Sequence, residues 1–255
     1  MQHRKRERFE RTDVPRYNPY RNYIAIAVLV AVGVCLVVLV GVLWSKAQQP
    51  ISVGNKTLSA SLETQAAVTS PDGYTISDDS FENVLVLTVD DVNAQTPKLK
   101  NAQILTLNST KRKGYLVTIP LDTKVNDGKS DMRLSDLFAA SGASACVAPL
   151  AKAANLRMTH VMLATDGVWD KLEKYKGSGV TALLSHGADL LYDIDTDMTT
   201  ADLTEVAEQV QSMGISNLTR LDAPTTKEDD GAGGSWEVIN SSQLGASLGI
   251  MVAKS

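Results

Sequence analysis

Residues 24–44 form a run of 21 positions without a charge, interrupted only by Gly33 and Gly41. As a helix rising about 1.5 Å per residue, the run would measure about 31 Å, close to the hydrocarbon thickness of a bilayer. Tyr20 and Tyr23 flank one end and Trp44 the other, where aromatic rings favour the membrane interface. A buried core helix is rarely apolar all round for six turns. A cleaved signal core is shorter and ends at small residues, whereas this run closes on Trp44, Ser45 and Lys46. The pattern predicts an uncleaved signal anchor over residues 23–45.

Beyond it, residues 46–80 are rich in Ser, Thr, Gln, Gly and Asn without sustained periodicity, and read as a stalk. Residues 83–90 then form a continuous apolar run, the mark of a strand covered on both faces. Residues 102–107 and 115–119 read as two more strands around the Lys111-Arg112-Lys113-Gly114 turn, the second stopped by Pro120. Residues 134–140 and 145–154 read as helices, 160–164 as a short strand, and 166–175 as an amphipathic helix ended by Gly177-Ser178-Gly179. Thr199 or Thr200 caps a helix whose Leu203, Val206, Val210 and Met213 share a face, and Gly214 ends it. Residues 218–221 and 236–239 read as strands around an acidic, Gly-rich loop at 225–235. Ser241 or Ser242 caps a last helix carrying Leu244, Leu248 and Met251. Alternating strands and helices predict one α/β layered domain over residues 81–255, built on a mixed central sheet.

Charge orients this plan. Residues 1–22 hold seven Lys/Arg against three acids, a net of +4, and the remaining chain is net −8. A basic flank stays in the cytoplasm, which places the α/β domain on the far side of the membrane. The basic tail carries three acids and adjoins no helix-turn-helix or other reading head, so nucleic acid is excluded as its partner. At about 22 residues it is also too short for a DNA-reading fold. Cys35 lies in the apolar span, leaving Cys146 alone beyond it; no disulfide can form in the outer part, and Cys146 reads as a small buried hydrophobe.

Three segments carry a family resemblance. Residues 83–90 end on Asp90. Residues 103–123 include Asn108 and the stretch Tyr115-Leu116-Val117-Thr118-Ile119-Pro120-Leu121-Asp122-Thr123. Thr159-His160-Val161 is followed by Thr165-Asp166-Gly167-Val168. In this order they resemble the LytR–CpsA–Psr family, membrane-anchored bacterial proteins that transfer polyprenyl-pyrophosphate-linked glycopolymers to peptidoglycan. The resemblance implies a metal-binding carboxylate at Asp90, and pyrophosphate contacts at Asp122 and at Arg133, which stands where the family has a basic residue before a helix. It covers roughly residues 82–180.

The departures bear on activity. The chemistry needs carboxylates for a divalent cation and arginines whose planar fork grips pyrophosphate. Lys98 and Lys100 fall where the resemblance implies an Arg and a second metal-binding Asp, Leu121 replaces an Arg, and Val92 another. Residues 181–214 contain no Arg or Lys, where a later arginine cluster is expected. The expectation is a catalytically degenerate envelope protein with no cofactor, holding a lipid-linked glycopolymer or peptidoglycan, or partnering an active homologue. The alternative is an active Mg²⁺-dependent phosphotransferase using Asp90, Asp122 and Arg133.

Blander readings cover the remaining candidates. Asp90 and Asp91 fit a solvated turn or a salt bridge to Lys98 or Lys100, and Asp122 fits a loop anchor bonded to a hydroxyl or amide. His160, single in an apolar strand, reads as structural. Asp193, Asp195 and Asp197 alternate but lack the Gly and terminal Glu of a calcium loop. The Asn-x-Ser/Thr triplets at Asn55, Asn108, Asn217 and Asn240 matter only in a eukaryotic secretory route.

Overall fold

The computed structural model describes residues 52–168, 193–214, 217–231 and 233–254. The apolar run at 24–44 and most of the helix expected at 166–175 lie outside the described residues. In chain order the elements are β1 (Ser52–Val53), α1 (Lys56–Glu63), β2 (Tyr74–Ile76), β3 (Phe81–Val89), β4 (Leu99–Asn108), β5 (Lys113–Ile119), β6 (Lys124–Asn126), β7 (Asp131–Arg133), α2 (Leu134–Ala154), β8 (His160–Thr165), β9 (Ile194–Thr196), α3 (Thr200–Met213), β10 (Thr219–Asp222), β11 (Thr225–Asp229), β12 (Ser235–Ile239), α4 (Ser241–Leu248) and β13 (Met251–Ala253). Among the described residues seven strands form one sheet in the order β1-β9-β8-β3-β4-β5-β10. β3, β4 and β5 run antiparallel, while β8 joins β3 and β10 joins β5 in parallel, so the sheet is mixed as expected.

β3 lies inside this sheet because its apolar run has two faces to cover. Leu85, Leu87 and Val89 pack with Ile104, Val161 and the apolar side of α2, including Leu134, Leu137, Phe138, Val147 and Leu150. Val84 and Val86 turn the other way and meet Met198, with Leu203 and Val206 of α3. Every residue from Val84 to Val89 is buried. α3 begins with a reciprocal capping box, Thr199 accepting from the Asp202 amide and Asp202 accepting from the Thr199 amide, and it stops at Gly214.

The two helices expected at 134–140 and 145–154 are one element broken at Gly142, whose φ of 76° and ψ of −175° suit only glycine. Among the described residues α2 alone is long and apolar enough to cross a membrane. It lies mid-chain, however, and spends that apolarity on the sheet.

Four expectations are corrected. Residues 52–80 are not all stalk: β1 pairs with β9, Asn55 caps α1, Leu58 enters the core and β2 pairs with β13. The compact unit begins at Ile51 rather than at residue 81. Residues 225–229 are a strand, paired residue for residue with β12, because the hairpin needs no buried face of its own. Met251 lies in β13 rather than on the last helix, and Asn240, not Ser241 or Ser242, caps that helix. Residues 124–133, read as no element, form the small β6–β7 hairpin.

Candidate functional site

Register brings the candidate residues to one end of the sheet. Val89 pairs with Leu99 and Thr165, and Ala102 pairs with Ile119, so Asp90, Asp166 and the 120–123 turn follow the ends of β3, β8 and β5 at the end of the sheet where Lys98 and Lys100 flank Leu99, the first residue of β4.

Asp90 closes the turn from β3 to β4. Its amide donates to Lys98 O at 3.2 Å. Its Oδ1 accepts from the amides of Lys98 at 2.7 Å and Asp91 at 3.0 Å. The Lys98 amide, with the Asp91 amide behind it, holds the Asp90 carboxyl below the usual carboxylate range. Asp91 in turn accepts from the Asn93 amide at 2.8 Å. The expected salt bridge from Lys98 or Lys100 is therefore corrected: Lys98 contributes its backbone, and the Lys100 ammonium pairs with Asp166 at 2.9 Å. Leu121 and Val92, which stand where the resemblance implies arginines, are partly buried against the core. Among the described residues no three His, Cys, Asp or Glu side chains are grouped to hold a metal ion.

Asp122 and Arg133 do come together, with Arg133 Nε 3.8 Å from Asp122 Oδ1. Their neighbourhood is assembled by backbone bonds, Leu134 N to Thr123 O and Glu237 N to Asp122 O, which draw β7 and β12 against the turn. The loop-anchor reading of Asp122 gives way accordingly: its carbonyl, rather than its carboxylate, ties the loop. Arg133 Nη2 donates to Asp230 Oδ2 at 2.9 Å and to Ser235 O at 3.3 Å. Directly opposite it in register, Lys124 Nζ lies 2.6 Å from Glu228, 3.3 Å from Asp131 and 5.0 Å from the Trp236 ring centre. Glu228, then Asp131, raise the Lys124 ammonium above its ordinary range. Lys124, Glu228, Asp230 and Trp236 were not among the candidates. The only local signal was the acidic run Glu228-Asp229-Asp230, and nothing near it points to Lys124 or Arg133, 104 and 97 residues away from Glu228 and Asp230.

The other candidates lie elsewhere. His160 pairs with Val84 at the opposite end of β3; its Nδ1 is 2.8 Å from Asp197 Oδ2, and Glu82 lies 3.8 Å from Nε2. The Asp197 bond raises its pKa, and Asp197 also accepts from the Val161 amide, so this histidine is satisfied by structural partners. Asp195 accepts from Asn55 Nδ2 at 2.9 Å, so Asp195 and Asp197 serve separate elements. Cys146 is fully buried, and burial pushes its thiol up to about 12. A cavity of about 470 Å³ opens between α2 and the β6–β7 turn, beside Lys129, Ser141, Ser144 and Lys152; Asp90, Asp122 and Arg133 do not line it.

No family model matches this chain, and no curated protein matches it. Solved structures do. The crystal structure of TagV from B. subtilis superposes with a TM-score of 0.54 at 7% identity, over 68% of this chain and 96% of that one. The transcriptional regulator yvhJ from Bacillus subtilis gives 0.51 at 9% identity, over 68% and 96%. The chain has a divergent LytR–CpsA–Psr-like fold.

Proposed function

We propose that this chain is a single-pass protein of the bacterial cell envelope, with its N-terminus in the cytoplasm and its α/β domain outside, where it binds a lipid-linked glycopolymer without transferring it. It acts as an accessory of glycopolymer attachment to peptidoglycan, alone or beside an active homologue. The membrane anchor rests on residues 24–44 and their basic flank. The envelope role rests on the family resemblance together with the LytR–CpsA–Psr-like fold, an argument by analogy of fold.

One observation carries the loss of transfer. At the position where the resemblance implies a second metal-binding carboxylate, Lys100 places an ammonium, and that ammonium is paired to Asp166. Asp90 is left with Oδ1 committed to two amides and a cation on the neighbouring strand. This donor set does not fit a resident Mg²⁺, a hard cation that asks for several oxygen ligands in octahedral array. The pyrophosphate grip is reduced in the same way, because Leu121 and Val92, where the resemblance implies arginines, are apolar and pack against the core.

Binding is the test. The full chain in detergent should retain a fluorescent polyprenyl-pyrophosphate-linked glycopolymer on a native gel, and Arg133→Ala should weaken that retention. A chain that ignores the donor would end the binding reading. Topology is checked separately: protease added to cells stripped of any outer barrier should digest the domain and spare an N-terminal tag. A soluble product lacking residues 1–44 would instead reveal a cleaved signal.

A further inference from the structure

Among the described residues four buried side-chain polar atoms have no hydrogen-bond partner, and three of them fall in one place: Thr123 Oγ1, Arg133 Nε and Trp236 Nε1. Lys124 pairs with Arg133 across the β6–β7 hairpin, and Thr123 bridges to Glu237 of β12, so the three segments are immediate neighbours. Buried polar groups in native proteins are almost always partnered, and a local concentration of exceptions needs a physical account. Arg133 Nε and Trp236 Nε1 can only donate, and the Thr123 hydroxyl can do so.

The use of Arg133 sharpens the point. Nη2 is bonded to Asp230 and to Ser235 O, while Nε, on the same edge of the guanidinium, has only Asp122 Oδ1 at 3.8 Å, beyond hydrogen-bond reach. That edge matches two oxygens of one tetrahedral oxyanion. Asp230 supplies a single oxygen to it because its Oδ1 is held by the Gly234 amide at 2.8 Å. The fit is close enough that a Cβ on Gly234 would stand 2.5 Å from Asp230 Oδ2 and 3.0 Å from Arg133 Nη2. Lys124, directly across from Arg133, is likewise met by Glu228 at 2.6 Å. One acidic hairpin therefore lends a carboxylate to each of two adjacent cations, and it leaves half of the arginine edge unused.

We propose that Lys124 and Arg133 form a binding site for a phosphate-class oxyanion, and that the β11–β12 hairpin keeps it closed by laying Glu228 and Asp230 on the two cations in the ligand's place. An incoming oxyanion takes Arg133 Nε and Nη2 together and reaches Lys124 Nζ. Glu228 and Asp230 go to solvent, while Asp131 of β7, 3.3 Å from Lys124, and Asp122, 3.8 Å from Arg133 Nε, belong to the segments that carry the two cations and stay beside them. Glu228 is already 53% exposed, whereas Asp230 is only 11% exposed, so release of Asp230 is the larger step. The choice of phosphate over other oxyanions rests on the function proposed above; the closure by the hairpin does not.

The experiment titrates the full chain in detergent with inorganic pyrophosphate by calorimetry. Asp230→Asn keeps the shape and the Gly234 contact but removes the competing charge, and it should tighten binding about tenfold. Glu228→Gln should give a smaller gain, and Arg133→Ala should abolish both. In the unmodified chain, pyrophosphate should speed hydrogen exchange at the amides of β11 and β12, while sodium chloride at equal ionic strength should not. Unchanged affinity in both variants with unchanged exchange would overturn the proposal. A gain seen only with the lipid-linked donor supports it and assigns the phosphate to the lipid. If pyrophosphate binds more tightly in the variants but the glycopolymer is ignored, the closure stands and the envelope reading falls. If the glycopolymer binds equally to every variant, the closure falls and the envelope reading stands.

Discussion

Replacing Leu85 by Ala should lower the stability of the domain by about 2–5 kcal/mol, the usual cost of lost transfer energy plus the cavity left behind. Leu85 is fully buried at the middle of β3, paired with Ile104 of β4 and Val161 of β8. Its neighbours on both sides are hydrogen-bonded strands, and the layer above it is α2, so the site cannot collapse to fill the space. The substituted Val84, which faces the smaller cluster under α3, should cost less. Urea unfolding of the two variants against the unmodified chain measures both differences. A loss under about half a kcal/mol for Leu85→Ala would place β3 at a surface and undo the architecture.

The second large effect concerns turnover. Losing one group that holds a metal or grips the reacting phosphate typically costs a few kcal/mol, and each 1.36 kcal/mol is a factor of ten in rate. Where the resemblance implies a metal-binding carboxylate and two arginines this chain has Lys100, Leu121 and Val92, and residues 181–214 contain no Arg or Lys. Even with strong non-additivity, transfer should fall at least about 10⁴-fold below an intact site. Lys100→Asp removes the ammonium and adds a carboxylate beside Asp166, so it should raise Mg²⁺ affinity by about tenfold in calorimetric titration. It should not restore transfer, because the phosphate grip stays incomplete. Transfer recovered by this one change would show that the metal position alone had been lost.

What was legible in the sequence depended on how local the determinant was. β3 announced itself through an uninterrupted apolar run, α3 through Thr199 and Gly214 at its ends, and the break in α2 through the gap between two apolar stretches that Gly142 fills. Each of these signals lies within a few residues of the element it specifies. β1, β2, β6 and β13 are two or three residues long, too short to show a period; β1, β2 and β13 exist because a distant strand pairs with them, and β6 because β7 folds back on it. The same holds for the candidate site. Arg133 and Asp230 are 97 residues apart and Lys100 and Asp166 are 66 apart, and an ion pair leaves no periodic trace in either partner's neighbourhood. Asp90, Asp122 and Arg133 were chosen by resemblance. The residues that occupy them, Asp230 and the Lys98 amide, became visible only once the chain was folded.

The central claim, binding without transfer, is tested most directly by incubating the full chain in detergent with Mg²⁺, peptidoglycan and a polyprenyl-pyrophosphate-linked glycopolymer, and measuring the polyprenyl phosphate released. The expected result is release at the background of a protein-free control, with the donor retained by the chain. Release above that background in the unmodified protein, abolished by Asp90→Ala, would contradict it and make this chain a glycopolymer ligase.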